Sequence, residues 1–262
     1  MTAPTTAEHW DPKKYETHAG FVPVMTNAIT DQLHQRVQPG DRVLDLGCGH
    51  GKLTKVLQDD DGYDVVGVDS SAAMVDAARA EGCRDVRVAD GHDLAAAGIA
   101  SGEFDAVFSN AALHWMKRDP HQVAQEVHRV LKPGGCFVAE MGGFLNVAVI
   151  HVALINAVTS RGHDGLALSP WYFPSQDDYR GVLESNGFAV EAIDLVPRIT
   201  PLPTDVKGWL RTFGGPFLEP FTDPAEREAI LDEVQTQLAP ALCRQGKWAV
   251  MYNRLRIVAR KR

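Results

Sequence analysis

The sequence predicts an α/β fold: a doubly wound, seven-stranded, mostly parallel sheet with an inserted helical cap. Three observations carry this prediction. Short apolar runs alternate with segments of helical periodicity between residues 42 and 141, which is typical of a parallel sheet with helical crossovers. A glycine-rich turn, GCGHG at 47–51, follows the first run directly. The length of 262 residues, of which 45% are hydrophobic, suits one large domain of this class.

Each strand of the first half is a short, mainly apolar run, and helices follow three of them. The five strands read, in order, RVLDL, DVVGVD, RDVRVAD, FDAVFSN and CFVAEM. The three helices read GKLTKVLQDD, SAAMVDAARAEG and DPHQVAQEVHRVLKPGG. The last helix has Asp119 as its N-cap, Pro120 in its first turn and Gly134 after its end, which are the usual signals of a helix boundary.

The alternation changes after residue 141. A helix over about 147–160 leads into the loop RGHDGLALSPWYFPS, which is rich in glycine, proline and aromatic residues. A helix with a capping box from Ser175 to Asp178, the strand FAVEAIDLVPR, a helix capped by Asp223 and the strand WAVMYNRLRIVARK follow. We expect residues 37–141 to form the ligand-binding core, and 142–262 to supply the helical cap and the closing strands of the same domain.

Composition and charge argue against several classes of protein. A net charge of -8 leaves no broad basic surface for nucleic acid. No apolar stretch reaches the roughly 18 residues of a membrane helix, and the first residues lack a signal-peptide pattern. The four cysteines are scattered and form no CxxC pair, which favours a reduced, cytoplasmic setting and argues against a structural metal site.

The glycine-rich turn leaves three classes of ligand to consider. A P-loop is excluded, because Leu53 follows Lys52 where serine or threonine is required and Leu46 occupies the first glycine position. A dinucleotide site is weakened, because Lys52 stands at the third glycine position. It stays open, since Asp69 ends the second strand where a ribose-binding acid belongs. The third class is a ligand without phosphate.

Five motifs in a fixed order resemble those of class I S-adenosylmethionine-dependent methyltransferases. They are VLDLGCGHGKLT, VVGVDSSAAMVDAA, VRVADGHDL, FDAVFSNAALHW and RVLKPGG. The resemblance implies a Rossmann-like fold and S-adenosylmethionine as the cofactor. That cofactor is a sulfonium cation without phosphate, so it requires no lysine clamp, and a carboxylate that accepts two ribose hydroxyls makes a charge-assisted contact with it.

The resemblance also implies which residues contact the cofactor. Asp69 would accept the ribose hydroxyls, Asp90 would accept the adenine amino group, and Met74 would flank the adenine. Asn110 and Ala111 would lie near the sulfonium. The full set is Tyr15, Asp45, Gly47, Cys48, Gly49, Asp69, Ser70, Met74, Asp90, Gly91, His92, Asn110 and Ala111. Within it, Asp45 is expected to orient backbone amides of the loop more than to touch the ligand. The alternative role for Asp69 and Asp90 is to cap the turns that follow their strands.

A second, looser resemblance is to trans-aconitate methyltransferase and related small-molecule methyltransferases. The segments HWDPKKY, SNAALHW and YNRLRIVARK carry it. It implies that residues 1–36 cover the cofactor, with Tyr15 near its methionyl carboxylate; the alternative for Tyr15 is a place on an amphipathic helix face. The substrate is not carried over, because the residues that bind the tricarboxylate have no clear counterpart.

The methyl acceptor is expected beyond the fourth strand. His114 is the candidate general base for a hydroxyl or amine acceptor, and its alternative role is to shape the pocket wall. Aromatic residues are expected to close over the acceptor, although about half of such a cluster would pack a small second core. The predicted substrate contacts are Trp115, Phe144, Trp171, Tyr172, Phe173 and Trp209. Arg161, Arg198 and Arg211 are candidates for holding a carboxylate.

The sequence therefore predicts an S-adenosylmethionine-dependent methyltransferase that methylates a small molecule, most favourably at a carboxylate or hydroxyl oxygen. We expect a monomer or homodimer with no metal and no nucleic-acid or membrane partner. Two alternatives stay open at this point. One is an NAD(P)-dependent oxidoreductase of the Rossmann type, and the other is a cofactor-binding protein that has no methyl-transfer activity.

Overall fold

The computed structural model describes residues 27–262, so the predictions for Tyr15 and for most of the segment 1–36 lie outside the described residues. The strands are β1 (Arg42–Leu46), β2 (Asp64–Asp69), β3 (Asp85–Val88), β4 (Phe104–Asn110), β5 (Leu131–Gly142), β6 (Phe188–Pro201), β7 (Cys243–Arg244) and β8 (Lys247–Lys261). The helices are α1 (Asn27–His34), α2 (Lys52–Asp59), α3 (Ala72–Glu81), α4 (Pro120–Val130), α5 (Ala148–Thr159), α6 (Gly165–Leu168), α7 (Gln176–Ser185), α8 (Val206–Phe213), α9 (Gly215–Leu218) and α10 (Pro224–Leu242).

The main sheet has seven strands in the order β3-β2-β1-β4-β5-β8-β6, and the two-residue β7 pairs with β8 alone. Strands β1 to β5 are parallel, whereas β8 lies between β5 and β6 and is antiparallel to both. The order reverses at β1, so the carboxyl ends of β1 and β4 flank the place where such sheets bind ligands. The predicted fold class is confirmed.

Alternation along the strands gives the sheet two apolar faces. On one face, Leu44 and Val107 pack with α4 and α7. On the other face, Val43 and Phe108 pack with α1 and with Leu57 of α2. Because successive side chains of a strand point to opposite sides, the nearly continuous apolar runs in the sequence become a sheet covered by helices on both faces.

A second apolar cluster joins α5, α8, α9 and α10 to the start of β8. It contains Leu154, Trp209, Phe217, Leu231 and Tyr252, all of them buried. The helix of the predicted cap near 147–160 is confirmed as α5, and α7 begins with the predicted capping box of Ser175 and Asp178. No helix in the part of the chain that the structure describes is long and apolar enough to cross a membrane.

The sequence prediction missed α8 and α9 and the short α6 within the aromatic-rich loop. Helix α8 is capped by Asp205, whose carboxylate accepts the Gly208 N–H at 2.9 Å. Eight residues that include an internal glycine carry a weak helical signal. The buried Trp209 and Phe213 supply the stabilisation that this segment lacks by itself.

Candidate functional site

The glycine-rich loop turns sharply from β1 into α2. Gly47 has φ of 81° and Gly51 has φ of 84°, a region that side chains with a Cβ rarely adopt. A Cβ on Gly47 would lie 2.1 Å from the Cβ of Ala112, whereas a Cβ on Gly49 would meet nothing within 4 Å. Glycine at 47 thus lets two loops approach each other, and the backbone at Gly49 borders open space.

Asp69 ends β2 and ties this loop to the next helix. Its carboxylate accepts the N–H of Gly49 at 3.0 Å and the N–H of Ser71 at 2.9 Å. Burial raises the pKa of Asp69, and the two backbone bonds partly offset that effect. The structure therefore shows the capping role, and it places the carboxylate beside the open edge at Gly49. Ser70 is exposed, and Met74 is buried in the first turn of α3.

Two further predicted cofactor residues, Asp45 in β1 and Cys48 in the loop, have buried side chains. Asp45 is buried in β1 and accepts a hydrogen bond of 2.7 Å from the Thr54 hydroxyl. The hydrogen bond thus comes from a side chain of α2, where bonds to backbone amides of the loop were expected. Burial raises the pKa of Asp45 to about 6. The Cys48 side chain is 9% exposed, and burial raises the pKa of its thiol well above the ordinary value.

The segment after β3 is held by an ion-pair cluster that sequence reasoning missed. Asp90 accepts the backbone N–H of His92 at 2.9 Å, its Oδ1 lies 2.7 Å from Nδ1 of His92, and Nη2 of Arg118 donates to Oδ2 at 2.8 Å. Burial opposes ionisation of Asp90, but these bonds outweigh it and lower its pKa to about 2. Asp90 is therefore an ionised acceptor, with Arg118 already on one oxygen. Gly91 is buried beside Met116.

Asn110 ends β4 at the same edge of the sheet, and Ala111 follows it directly. Ala111 is left-handed, with φ of 57°, and its N–H donates to the carbonyl of Glu140 at 2.7 Å. This turn directs the segment that carries His114 and Trp115 across the carboxyl ends of the strands. Parallel strands end on one side, so the predicted cofactor residues that lie within the described chain gather along one edge.

An aromatic pocket opens beside Ala111. It encloses about 450 Å³, counting its open mouth, and is lined by Ala111, His114, Trp115, Asn146, Val147, Trp171, Phe173, Trp209, Phe213, Tyr252 and Arg254. Four of the six predicted substrate contacts, Trp115, Trp171, Phe173 and Trp209, are among them. The other two lie elsewhere: Phe144 is 52% exposed, and Tyr172 packs against Tyr179 of α7, with 6.3 Å between the ring centroids.

His114 is buried in the pocket wall. The backbone N–H of Gly142 donates to its Nδ1 at 3.3 Å. Burial, and then the charge of Arg254, lower the pKa of His114 well below its ordinary value of 6.5. The imidazole is therefore neutral at physiological pH.

The arginines expected to hold a carboxylate do not line the pocket, and the sequence prediction missed the arginine that does. Arg161 pairs with Glu233, Arg211 pairs with Glu228, and Arg198 lies 3.8 Å from Glu140. Arg254 of β8 lines the pocket and is 3% exposed. The alternation in YNRLRIVARK indicated a strand, but which of its faces meets the pocket depends on pairing with β5, where Arg254 lies opposite Gly142.

Comparison with known proteins decides the family. A family model described as a methyltransferase domain matches residues 44–139. An uncharacterized methyltransferase of Schizosaccharomyces pombe is 39% identical over 97% of this chain and 98% of its own length. The chain belongs to the class I S-adenosylmethionine-dependent methyltransferases.

Two further comparisons place this methyltransferase among its relatives. A trans-aconitate 2-methyltransferase of Streptomyces coelicolor is 30% identical over 98% of the chain and 88% of the relative. The solved phosphoethanolamine N-methyltransferase 2 of Haemonchus contortus, in complex with S-adenosylhomocysteine, superposes with a TM-score of 0.56 at 20% identity, over 95% of this chain and 56% of that one. The second match shows the fold alone.

The sheet edge of this methyltransferase fits the family's cofactor. Beside Gly49 the backbone has open space, and Asp69 and Asp90 supply carboxylates at the ends of β2 and β3. The third glycine position of a dinucleotide fingerprint is lysine here. Together with the membership of the methyltransferase family, this leaves the oxidoreductase alternative without support.

Proposed function

We propose that this methyltransferase transfers the methyl group of S-adenosylmethionine to an oxygen atom of a small molecule held in the aromatic pocket. The observation that carries the proposal is the position of Ala111. It directly follows β4 on the edge where the predicted cofactor residues gather, and it also lines the aromatic pocket. An acceptor in that pocket would lie next to the cofactor without crossing open solvent.

The residues divide into two groups in this proposal. Asp69, Asp90 and the backbone at Gly49 would hold the cofactor, which supplies an electrophilic methyl group when bound. The walls of the pocket would hold the acceptor in line and exclude water. Alignment of two reactants can contribute roughly 7–11 kcal/mol to lowering a barrier, so positioning is the main task of these side chains.

The aromatic wall supports a small, flat or apolar acceptor. Trp171 stacks on Phe173 with 5.7 Å between ring centroids, and Trp115 stacks on Phe213 at 6.3 Å. The name of the Streptomyces coelicolor relative refers to an organic acid, which supports an oxygen acceptor. Residues 142–262, as the cap, and residues 1–36, as a cover over the cofactor, would complete the enclosure.

The proposal is tested with isotope-labelled S-adenosylmethionine, the purified protein and a fractionated metabolite extract, followed by mass spectrometry of the labelled product. We expect label on an oxygen of a compound that fits the pocket, with formation of an equal amount of S-adenosylhomocysteine. Cofactor binding by calorimetry without any labelled product across the fractions would instead favour a binding protein that does not transfer methyl groups. Label on nitrogen, sulfur or carbon would contradict the oxygen assignment alone.

A further inference from the structure

The pocket wall contains a buried guanidinium with unused hydrogen-bond donors. Arg254 donates no hydrogen bond to any residue within 27–262, and its Nε, which is fully buried, lies 3.8 Å from Oε1 of Glu140. A guanidinium carries five N–H donors, and leaving buried donors unpaired is costly. A neighbouring strand position shows the contrast, since Nε of Arg256 donates to Oε2 of Glu140 at 2.8 Å.

Within residues 27–262, Glu140 is the one acidic side chain that pairs with Arg254. One buried carboxylate, that of Glu140, faces Arg198, Arg254 and Arg256. The guanidinium of Arg254 also lies over the ring of Tyr252, 4.6 Å from its centroid. A cation–π contact stabilises the charge without using the N–H donors. Burial, and after it the charge of Arg254, lower the pKa of Arg198.

His114 adds a donor on the same pocket. Its Nδ1 accepts the N–H of Gly142, so that nitrogen carries no proton. Because the ring is neutral at physiological pH, its single proton is on Nε2. An imidazole with a proton on Nε2 and an occupied Nδ1 has no free lone pair with which to accept a proton from an acceptor. It can donate a hydrogen bond.

We propose that Arg254 and His114 together bind a carboxylate group of the methyl acceptor, and that His114 serves as a hydrogen-bond donor and not as a general base. The acceptor is then a carboxylic acid with an apolar or aromatic body. The body packs against Trp171, Phe173 and Trp209. This inference rests on the proposed function only in taking the bound acid to be the methyl acceptor. The binding of the acid is argued from the pocket itself. The donor role replaces the expectation that His114 is the general base, because a carboxylate is already ionised and needs no base to remove a proton.

The first test measures binding and needs no turnover. Tryptophan fluorescence of the protein saturated with S-adenosylhomocysteine would be titrated with phenylacetate, cinnamate and decanoate, and with the primary amide of each. We expect at least one acid to bind the wild-type protein at least tenfold more tightly than its amide. The preference for the acid should fall below about threefold in Arg254→Gln. It should be partly retained in Arg254→Lys, because the lysine ammonium keeps the positive charge but cannot form the two parallel hydrogen bonds that a guanidinium donates to a carboxylate.

Two controls make this test specific. Arg211→Gln removes an arginine whose guanidinium is paired with Glu228 on the outside of the cap, and it should leave the preference intact. Affinity for S-adenosylhomocysteine, measured by calorimetry, should be unchanged in both Arg254 variants. Loss of that affinity would assign Arg254 to the cofactor and overturn the inference. Equal binding of acids and amides, or no binding of any acid to the wild-type protein, would also overturn it.

The second test concerns His114. The ¹⁵N spectrum of its ring should show a proton on Nε2 in the free protein, and a proton on Nδ1 would overturn the donor role. Once an acceptor is identified, His114→Gln should retain turnover within about fivefold, because glutamine can accept from Gly142 and still donate, whereas loss of a general base costs roughly 10²–10⁴. Methylation of a neutral acceptor would reject the carboxylate site and leave the proposed function standing. Binding of acids without methyl transfer would reject the proposed function and leave the carboxylate site standing.

Discussion

Replacing Asp45 by asparagine should change how the stability of the protein depends on pH. Burial raises the pKa of Asp45 to about 6 in the folded protein, against about 3.9 in an unfolded chain. Because the folded pKa is the higher one, protonation favours the folded state. The contribution of Asp45 is fully present below the unfolded pKa and is lost as pH rises through the folded pKa.

The size of the effect follows from those two values. A difference of two pKa units corresponds to about 3 kcal/mol in the free energy of unfolding over the full pH range between the two pKa values. At pH 5, one unit below the folded pKa, about 1.4 kcal/mol of this stabilisation is present relative to pH 8. Asparagine cannot titrate, and its side-chain oxygen can still accept from Thr54, which now donates to Asp45 at 2.7 Å. The wild-type protein should therefore gain about 1.4 kcal/mol over Asp45→Asn between pH 8 and pH 5.

Urea unfolding of both proteins without ligand, at pH 5, 6, 7 and 8, measures the difference directly. Asp60→Asn is the matched control, since Asp60 is exposed at the end of α2. Its free energy of unfolding should follow that of the wild-type protein at each pH. Parallel curves for Asp45→Asn and the wild-type protein would refute the argument that burial dominates at this site.

Three other substitutions test the site. Asp69→Ala should weaken S-adenosylhomocysteine binding at least tenfold by calorimetry, because it removes the predicted ribose acceptor and the anchor of the Gly49 N–H; near wild-type affinity would remove the ribose assignment. Tyr252→Phe should cost about 1–3 kcal/mol in urea unfolding, because the Trp209 Nε1–H that donates to the Tyr252 hydroxyl at 2.6 Å loses its acceptor. Gly47→Ala should destabilise the protein by about 2 kcal/mol more than Gly40→Ala, since both glycines have positive φ but only Gly47 faces a neighbouring Cβ; equal losses would show that the loop relaxes.

The strand–helix alternation made most of the sheet predictable from the sequence. Local signals were sufficient there: Asp119 accepts the Gln122 N–H, Ser175 forms the capping box, and β1 alternates between two apolar faces. The gathering of the predicted cofactor residues along one edge of the sheet could also be expected, because parallel strands bring their carboxyl ends together whatever the details of packing.

The aromatic pocket was only partly predictable, because it depends on contacts between distant segments. The sequence marks Trp171 and Phe173 as unusual, but it does not show that the neighbouring Tyr172 turns toward the main core. Asp90 could be chosen as an acid after a strand, whereas its ion pair with Arg118 is decided by the path of the loop after β4. Arg254 reads as one of several arginines in a strand, and only the pairing of β5 with β8 places it in the wall.

The register in which β8 pairs inside the sheet decides which of its side chains line the aromatic pocket. Leu255 and Ile257 face the main core, while the intervening side of the strand carries Tyr252 and Arg254 to the pocket. A shift of the pairing by one residue would exchange the two sides of the strand. The Arg254 guanidinium would then be buried among the apolar side chains of the main core. Pairing of β8 with β5 in the correct register therefore decides which side chains form the pocket wall.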